Sequence, residues 1–276
     1  YYNSDNICVK LKTSLPVRKI ADNAFSKGYN SGGNLVTFSD TQPNDLLKGV
    51  KTGKELKYIG RKAFSYCSNE KFTEFSTYAD VIFGDSLYNC NTVNTLTLNS
   101  VNLEIPDEKF GNSINLINVR TPEAKAALMN IGYSESQVRV YFELNMPCTD
   151  ENGNPYVLNY TVNENGAKLN GFAETPETPV DMVIPKEISD SGVVYPVKSI
   201  ADSAFEGSAF VKTVVISEGV ESIGSLAFKN MNSLIYASVP GSVKCNLGSG
   251  VFKSCIFLKK CDLAEGITVI PPEMFY

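Results

Sequence analysis

Histidine is absent from this sequence of 276 residues. Without an imidazole the chain cannot assemble a Ser-His-Asp or Cys-His catalytic group, nor a metal site that uses histidine. The most common acid–base residue for catalysis near neutral pH is missing as well. We therefore expect a protein that is not an enzyme and that needs no cofactor and no bound metal.

Positive charge and long apolar runs are also scarce. The chain has 25 basic and 30 acidic residues, a net charge of −5 at pH 7. A nucleic-acid-binding protein needs a basic surface to neutralise phosphates, so no nucleic-acid partner is expected. No run of about 18 apolar residues is present, so no segment of this chain is expected to span a membrane.

The seven cysteines contain no Cys-x-x-Cys pair, which leaves a zinc ribbon or a thioredoxin-like site unsupported. Cys67, Cys90 and Cys255 occupy one position of the repeat described next. Since Cys67 and Cys90 would lie on adjacent repeats, a disulfide between them is conceivable. Ser and Met take the same position in other repeats, so we favour a buried row of free thiols.

One short pattern recurs along the chain: an aliphatic residue is followed, five positions later, by an aromatic or large apolar residue. The aliphatic members are Ile20, Ile59, Ile82, Ile105, Ile200, Ile223, Leu247 and Ile270. Their partners are Phe25, Phe64, Leu87, Phe110, Phe205, Phe228, Phe252 and Phe275. Within each block the step is 23 or 24 residues, except for a first step of 39 that includes an insertion. Such a period is typical of leucine-rich repeats.

Four repeats continue with two apolar residues in alternation, nine and eleven positions after the aromatic or large apolar residue: Leu96 and Leu98, Val214 and Ile216, Ala237 and Val239, and Cys261 and Leu263. This alternation predicts a short strand with one buried face. Because no repeat can bury its own apolar side, we expect the repeats to stack around a continuous core with their strands in a parallel sheet. The predicted fold is an α/β-type repeat solenoid with irregular or short helical return segments.

These repeats resemble the BspA-type leucine-rich repeat family of bacterial surface proteins. The segments that carry the resemblance are Ile223-Gly224-Ser225-Leu226-Ala227-Phe228, Ile59-Gly60-Arg61-Lys62-Ala63-Phe64-Ser65-Tyr66-Cys67 and the stretch 183–205. Leu87 departs from the pattern by replacing Phe, and Glu70 and Thr73 stand where aliphatic residues are expected. The resemblance implies an extracellular or cell-surface location, with or without a lipid anchor. It also implies adhesion or ligand binding, and it supplies no catalytic residue.

The spacing predicts two tandem segments, residues 1–145 and 146–276. The step of 95 residues from Ile105 to Ile200 leaves room for a helical cap near 121–142, in which Thr121 caps the helix and Pro122 starts it. Strand-like runs at 156–162 and 168–173 predict a β-hairpin that opens the second segment. The sequence stops inside a repeat, where an unfinished stack would expose its core, so we expect further residues or a cap beyond it.

Three motifs invite a chemical interpretation. Asp150, Asn152 and Asn154 suggest a calcium loop, but Pro155 stands where an EF-hand needs glycine, which favours a structural turn. Gly248-Ser249-Gly250 lacks the rest of a phosphate-binding loop. The acidic residues are scattered, and no pair is singled out for glycosidase chemistry.

The residues expected to face outward from the sheet stand eight and ten positions after the aromatic residue. They are Thr95, Thr97, Asn118, Arg120, Thr213, Val215, Tyr236, Ser238, Lys260 and Asp262. All but Asn118 are predicted as partner-binding residues, because repeat proteins bind through such faces, although ordinary solvent-facing strand residues would look the same. Tyr236 is the strongest candidate anchor.

We expect the partner to be a protein or glycan of a host or its matrix. A carboxylate-dependent glycan-active enzyme and a structural spacer that displays another domain are the alternatives.

Overall fold

The computed structural model describes residues 17–24, 50–67, 73–106, 108–111 and 113–276. The chain divides into two compact units, Tyr1–Phe142 and Glu143–Tyr276. The sequence placed this division three residues later. Phe25 and Glu70 lie outside the described residues.

The first unit holds two parallel sheets among its described residues. Its elements are β1 (Lys19–Ile20), β2 (Val50–Lys51), β3 (Tyr58–Ile59), β4 (Glu74–Thr77), β5 (Val81–Ile82), β6 (Thr95–Leu98), β7 (Leu116–Val119), α1 (Pro122–Asn130) and β8 (Val138–Thr149), whose last residues belong to the second unit. Strands β1, β3 and β5 pair in that order. Strands β2, β4, β6, β7 and β8 form the other, larger sheet of this unit.

The second unit combines a hairpin region with a parallel sheet. Its remaining strands are β9 (Pro155–Asn163), β10 (Gly166–Glu174), β11 (Val180–Ile184), β12 (Glu187–Asp190), β13 (Val193–Ile200), β14 (Val211–Ile216), β15 (Ser222–Ile223), β16 (Tyr236–Val239) and β17 (Lys260–Leu263). The predicted hairpin is present as antiparallel β9 and β10, and β12 pairs antiparallel with β13. Strand β13 pairs in parallel with both β10 and β15. Strands β11, β14, β16 and β17 form a parallel sheet in that order.

The aliphatic position of the motif forms strands that the sequence analysis missed. Ile20, Ile59 and Ile82 are aligned across β1, β3 and β5, and Ile200 aligns with Ile223 across β13 and β15. We expected one strand for each repeat, but these repeats carry a second strand, which has only two residues in β1, β3, β5 and β15. A two-residue strand has too few side chains to show an alternation in the sequence.

The motif phenylalanines of the second unit stack face to face from one repeat to the next. Ring centroids are 5.5 Å apart for Phe205 and Phe228, 5.4 Å for Phe228 and Phe252, and 5.9 Å for Phe252 and Phe275. The interplanar angles are 1°, 12° and 8°. This stacking confirms that successive repeats of this unit share one core.

The backbone keeps these phenylalanines in register. The amides of Phe205, Phe228 and Phe252 each donate to a carbonyl of the following repeat, at 2.7, 2.9 and 2.9 Å. In the first unit the amide of Phe64 donates to the Ser86 carbonyl at 2.9 Å. Leu87 of the first unit is 1% exposed, so a leucine fills the buried position that phenylalanine takes in other repeats. Hydrogen bonds between repeats satisfy backbone groups that a single repeat would leave unpaired.

Glycine directly after the aliphatic residue lets neighbouring repeats approach closely. A Cβ atom on Gly60 would lie 2.6 Å from the Asp22 amide nitrogen of the preceding repeat. Gly224 and Gly248 meet the backbone of their preceding repeats in the same way. The Ile-Gly and Leu-Gly pairs of the sequence are therefore a packing requirement.

Left-handed backbone conformations recur at two positions of the repeat, the third and seventh after the aliphatic residue. The residues concerned are Asn23, Lys62, Ser203, Leu226, Gly250 and Glu273 at the third position and Tyr66, Asn89, Gly207, Asn230 and Ser254 at the seventh. Most of them are not glycine, although a positive φ costs energy for other residues. The stacking of repeats imposes the turn, so the local sequence gives little sign of it.

The predicted cap helix is α1, and the six cysteines that the structure describes form no disulfide. The Thr121 side chain accepts a hydrogen bond from the Ala124 amide at 3.1 Å, and Pro122 opens the helix, as predicted. Cys67 and Cys90 are buried thiols, and Cys90 Sγ donates to the Phe64 carbonyl at 2.7 Å. Burial, together with the nearby Cys67, raises the pKa of Cys90 to about 12. The thiol therefore stays protonated and belongs to the core.

Asp150 organises the turn between β8 and β9. Its Oδ1 accepts from the amides of Asn152 and Asn154 at 2.9 and 2.8 Å. Its Oδ2 accepts from the Asn154 side chain at 3.0 Å and from the Asp181 amide at 3.1 Å. These hydrogen bonds, that from the Asn154 side chain first, lower the pKa of Asp150 to about 2. The arrangement supports the structural turn over a calcium loop.

Substitution Phe228→Ala should remove the central ring of the stack. Such a loss in a packed core costs about 3–5 kcal/mol of unfolding free energy. The matched control is Phe275→Ala, because that ring ends the stack and is 50% exposed. Urea denaturation should show a much smaller loss for the control, and equal losses would contradict the stacked core.

Substitution Gly60→Ala should destabilise the first unit by about 1–3 kcal/mol, because its Cβ would overlap the backbone of the preceding repeat. The control is Gly53→Ala, where a Cβ meets nothing within 4 Å. This control should be neutral or stabilising by up to about 1 kcal/mol, since alanine restricts the unfolded chain. Thermal unfolding of both variants distinguishes these outcomes, and a neutral Gly60→Ala would refute the close approach.

Substitution Asp150→Asn should flatten the acid limb of the stability curve. The folded-state pKa of Asp150 is about 2, below its ordinary 3.8, so its stabilisation is present above about pH 4 and is lost as pH falls towards 2. Urea midpoints at pH 7, 4 and 2.5 should therefore fall less steeply for the variant, from a lower starting value. Glu151→Gln, an exposed residue of the same turn, should keep the wild-type slope.

Candidate ligand-binding faces

The outward side of the sheet β11-β14-β16-β17 is the second sheet face. Strand register places Asp181, Thr213, Tyr236 and Lys260 in one row across it. A parallel row consists of Val183, Val215, Ser238 and Asp262. The predicted residues of the second segment therefore lie together on one surface, as the repeat spacing implied.

Tyr236, Lys260 and Asp262 form a polar cluster on the second sheet face. The Tyr236 hydroxyl donates to Asp262 Oδ2 at 2.9 Å, and Lys260 Nζ donates to the same oxygen at 2.7 Å. The hydrogen bond from Lys260, followed by that from Tyr236, lowers the pKa of Asp262. Asp262 in turn raises the pKa of Lys260. Both charges are therefore kept at neutral pH, and the tyrosine is held in place.

The opposite edge of this face carries an acid and two apolar side chains that face solvent. Asp181 accepts from the Thr213 hydroxyl at 2.9 Å and from the Asn152 amide group at 3.1 Å. Val183 and Val215 are neighbours in the register and are 45% and 37% exposed. The sequence analysis missed Asp181 and Val183, because β11 precedes the first full motif of its segment and cannot be placed by counting from an aromatic residue.

The outward side of β2, β4, β6, β7 and the residues of β8 up to Phe142 is the first sheet face. One row across it consists of Lys51, Ser76, Thr97, Asn118 and Arg139. Thr95 lies in a second row between Glu74 and Leu116. Thr95 and Thr97 are half-buried and point outward, as predicted.

The prediction for Arg120 was wrong. Arg120 is 5% exposed, and its guanidinium lies 4.2 Å from the centroid of the Phe142 ring. Counting from the aromatic residue aligned Thr97 with Arg120, whereas the structure aligns Thr97 with Asn118. Arg120 therefore falls beyond the end of β7 at Val119 and does not follow the alternation of the strand. A similar offset explains why Thr73 stands where an inward aliphatic residue was expected. The inward residues of β4 are Phe75 and Thr77, so the strand lies two positions further along the chain than the count predicted.

Arg139 lies on β8 beside Asn118, the residue that takes the outward place assigned to Arg120. It is exposed, and its Nε donates to Asn118 Oδ1 at 2.8 Å. Its guanidinium also lies 4.4 Å from the centroid of the Tyr141 ring. Arg139 belongs to a strand that follows the cap helix, outside the repeat motif, so the period gave no signal for it.

Within the described part of the chain, no group of three or more Cys, Asp or Glu residues is arranged to hold a metal ion. The same residues include no helix with both the length and the apolar character needed to cross a bilayer.

The comparison with curated proteins found no significant match. Among solved structures, the chain is similar to a leucine-rich repeat protein from Eubacterium ventriosum at 16% identity and a TM-score of 0.36, covering 84% of this chain and 64% of that one. A leucine-rich repeat protein from Bacteroides capillosus shares 28% identity at a TM-score of 0.24, covering 37% of this chain and 83% of that one. A leucine rich cell surface protein from Faecalibacterium prausnitzii shares 20% identity at a TM-score of 0.28, covering 88% and 70%.

The chain thus spans less than two thirds of the Eubacterium protein, and these TM-scores are too low to support an argument from overall shape. The sequence itself matches the profile of the BspA type leucine rich repeat region in six copies, over residues 36–137 and 188–276. These two ranges make up more than half of the chain and contain the Ile-Gly and Leu-Gly pairs and every phenylalanine of the motif except Phe25. The protein belongs to the BspA-type leucine-rich repeat family.

Proposed function

We propose that the protein is a non-enzymatic, extracellular or cell-surface binding module with a solenoid architecture, which recognises a host or matrix protein or glycan through its sheet faces. The observation that carries this proposal is the second sheet face. There, Thr213, Tyr236, Ser238, Lys260 and Asp262 lie side by side in a regular strand register. Extended sheet surfaces of this kind are the usual binding surfaces of repeat proteins.

The second sheet face has the mixed character of a binding surface. Tyr236 offers a ring whose orientation is fixed by Asp262, so little side-chain entropy is lost when a ligand packs on it. Val183 and Val215 supply exposed apolar area beside it, and Asp181 supplies an acceptor at the edge. Aromatic anchors surrounded by polar groups are typical of binding hot spots.

The geometry gives no support to the glycan-active enzyme. Asp181 and Asp262 are the two carboxylates in the rows of this face, and they lie on strands three steps apart, about 14 Å at the usual strand spacing. Glycosidase carboxylates are about 5–9.5 Å apart. Asp262 is moreover bound to Lys260, which lowers its pKa, whereas a general acid needs a raised one.

Substitution Tyr236→Ala should weaken ligand binding by about 30-fold, the cost of removing a hot-spot aromatic residue. The assay is titration of the purified chain against a panel of matrix proteins and host glycans, followed by repetition with each ligand that binds. Tyr88→Ala is the matched control, because Tyr88 is 46% exposed but belongs to no strand of either face.

Lys260→Ala and Asp262→Ala extend this test, since each removes one member of the cluster. If binding survives unchanged in all three cluster variants, the second sheet face is not the binding surface. If no member of the panel binds at all, the proposed binding role itself fails.

A further inference from the structure

The first sheet face presents one arginine, Arg139, whose orientation is fixed by its neighbours. Arg139 Nε is bound to Asn118 Oδ1, and the flat guanidinium packs on the Tyr141 ring. Arg139 makes no ion pair with any described carboxylate. Its two terminal nitrogens, Nη1 and Nη2, are therefore available to a ligand.

The residue that orients Arg139 is itself held firmly. Asn118 is only 7% exposed, and its Nδ2 donates to the Thr97 hydroxyl at 3.3 Å. Because the amide nitrogen is engaged by Thr97, the amide oxygen faces Arg139. A chain of hydrogen bonds along one row of the sheet thus fixes the guanidinium before any ligand arrives, which lowers the entropic cost of binding.

We propose that Arg139 is a carboxylate receptor, and that the ligand of the first sheet face is an acidic sugar. The Nη1 and Nη2 groups of a guanidinium form a fork that matches the two oxygens of a carboxylate. The other cation of this row is Lys51, four strands away, about 19 Å at the usual strand spacing. Because Arg139 has no second cation of its row nearby, it suits a ligand with one carboxylate better than a highly charged polyanion.

The surroundings of Arg139 favour a sugar over an acidic peptide. The outward side chains that continue its row are Asn118, Thr97 and Ser76, whose amide and hydroxyl groups suit the hydroxyl groups of a sugar. A peptide usually needs exposed apolar anchors. The large hydrophobic residues exposed in the described part of the first unit are Tyr88 and Met129, and neither belongs to a strand of this face.

The second sheet face differs in this respect, because its Lys260 is already neutralised by Asp262 at 2.7 Å. The two faces should therefore differ in ligand: the first should require a carboxylate, and the second should not. This inference rests on the proposed binding role but uses other residues, so Arg139 and Tyr236 variants fail or succeed independently.

The test uses two matched ligand pairs and calorimetric titration of the full chain. The pairs are trigalacturonic acid with its methyl ester, and 3′-sialyllactose with lactose. The carboxylated member of at least one pair should bind about tenfold tighter than the neutral member, and Arg139→Gln should abolish that preference. Arg139→Lys, which keeps the charge but loses the fork, should restore only part of it.

Lys51→Gln is the matched control, since it removes a cation from the same row at a distance and should leave the preference intact. Thermal unfolding of all three variants verifies that they remain folded, which is expected because both side chains are exposed. The proposal is overturned if neither carboxylated sugar binds, if Arg139→Gln keeps the preference, or if only an acidic peptide such as oligoglutamate competes for Arg139. If Tyr236→Ala loses binding of its ligand while Arg139→Gln keeps the preference for the carboxylated sugar, the proposed function stands and the role of Arg139 is refuted.

Discussion

The mutual burial of neighbouring repeats is the constraint on which the rest of the second unit depends. A repeat of about 23 residues has too little chain to enclose its own apolar side chains. Stacking solves this by placing Phe205, Phe228, Phe252 and Phe275 ring on ring, at centroid distances between 5.4 and 5.9 Å. The interior of each repeat is therefore completed by the next one, and stability is shared between neighbours.

The same stacking determines the surface. Neighbouring repeats approach closely where a side chain is missing, as at Gly224, and where the backbone adopts left-handed turns, as at Leu226. Once the repeats are in register, equivalent residues of neighbouring strands form a row across the sheet, with about 4.8 Å between one strand and the next. That register produces the polar cluster of Tyr236, Lys260 and Asp262. It also produces the hydrogen bonds that link Thr97, Asn118 and Arg139 across the first sheet face.

The period and the motif were sufficient to predict the family, the phenylalanine stack and the outward residues of the second unit. They failed where the chain departs from the period. The register of β7 is offset relative to Phe110, so Arg120 lies beyond the end of the strand, where its guanidinium is buried against the Phe142 ring. Arg139 and Asp181 lie on strands outside the motif, so counting could not find them. Left-handed turns at residues such as Lys62 are imposed by packing, and a lysine gives no sign of such a turn in the sequence.

Hydrogen exchange of the chain carrying Phe228→Ala, compared with the wild type, tests the shared core most directly. The amides of Phe205, Phe228 and Phe252 bridge successive repeats. If neighbouring repeats stabilise one another, removing the one ring should lower the protection of all three amides together. Loss of protection confined to the substituted repeat, with Phe205 and Phe252 unaffected, would contradict the account.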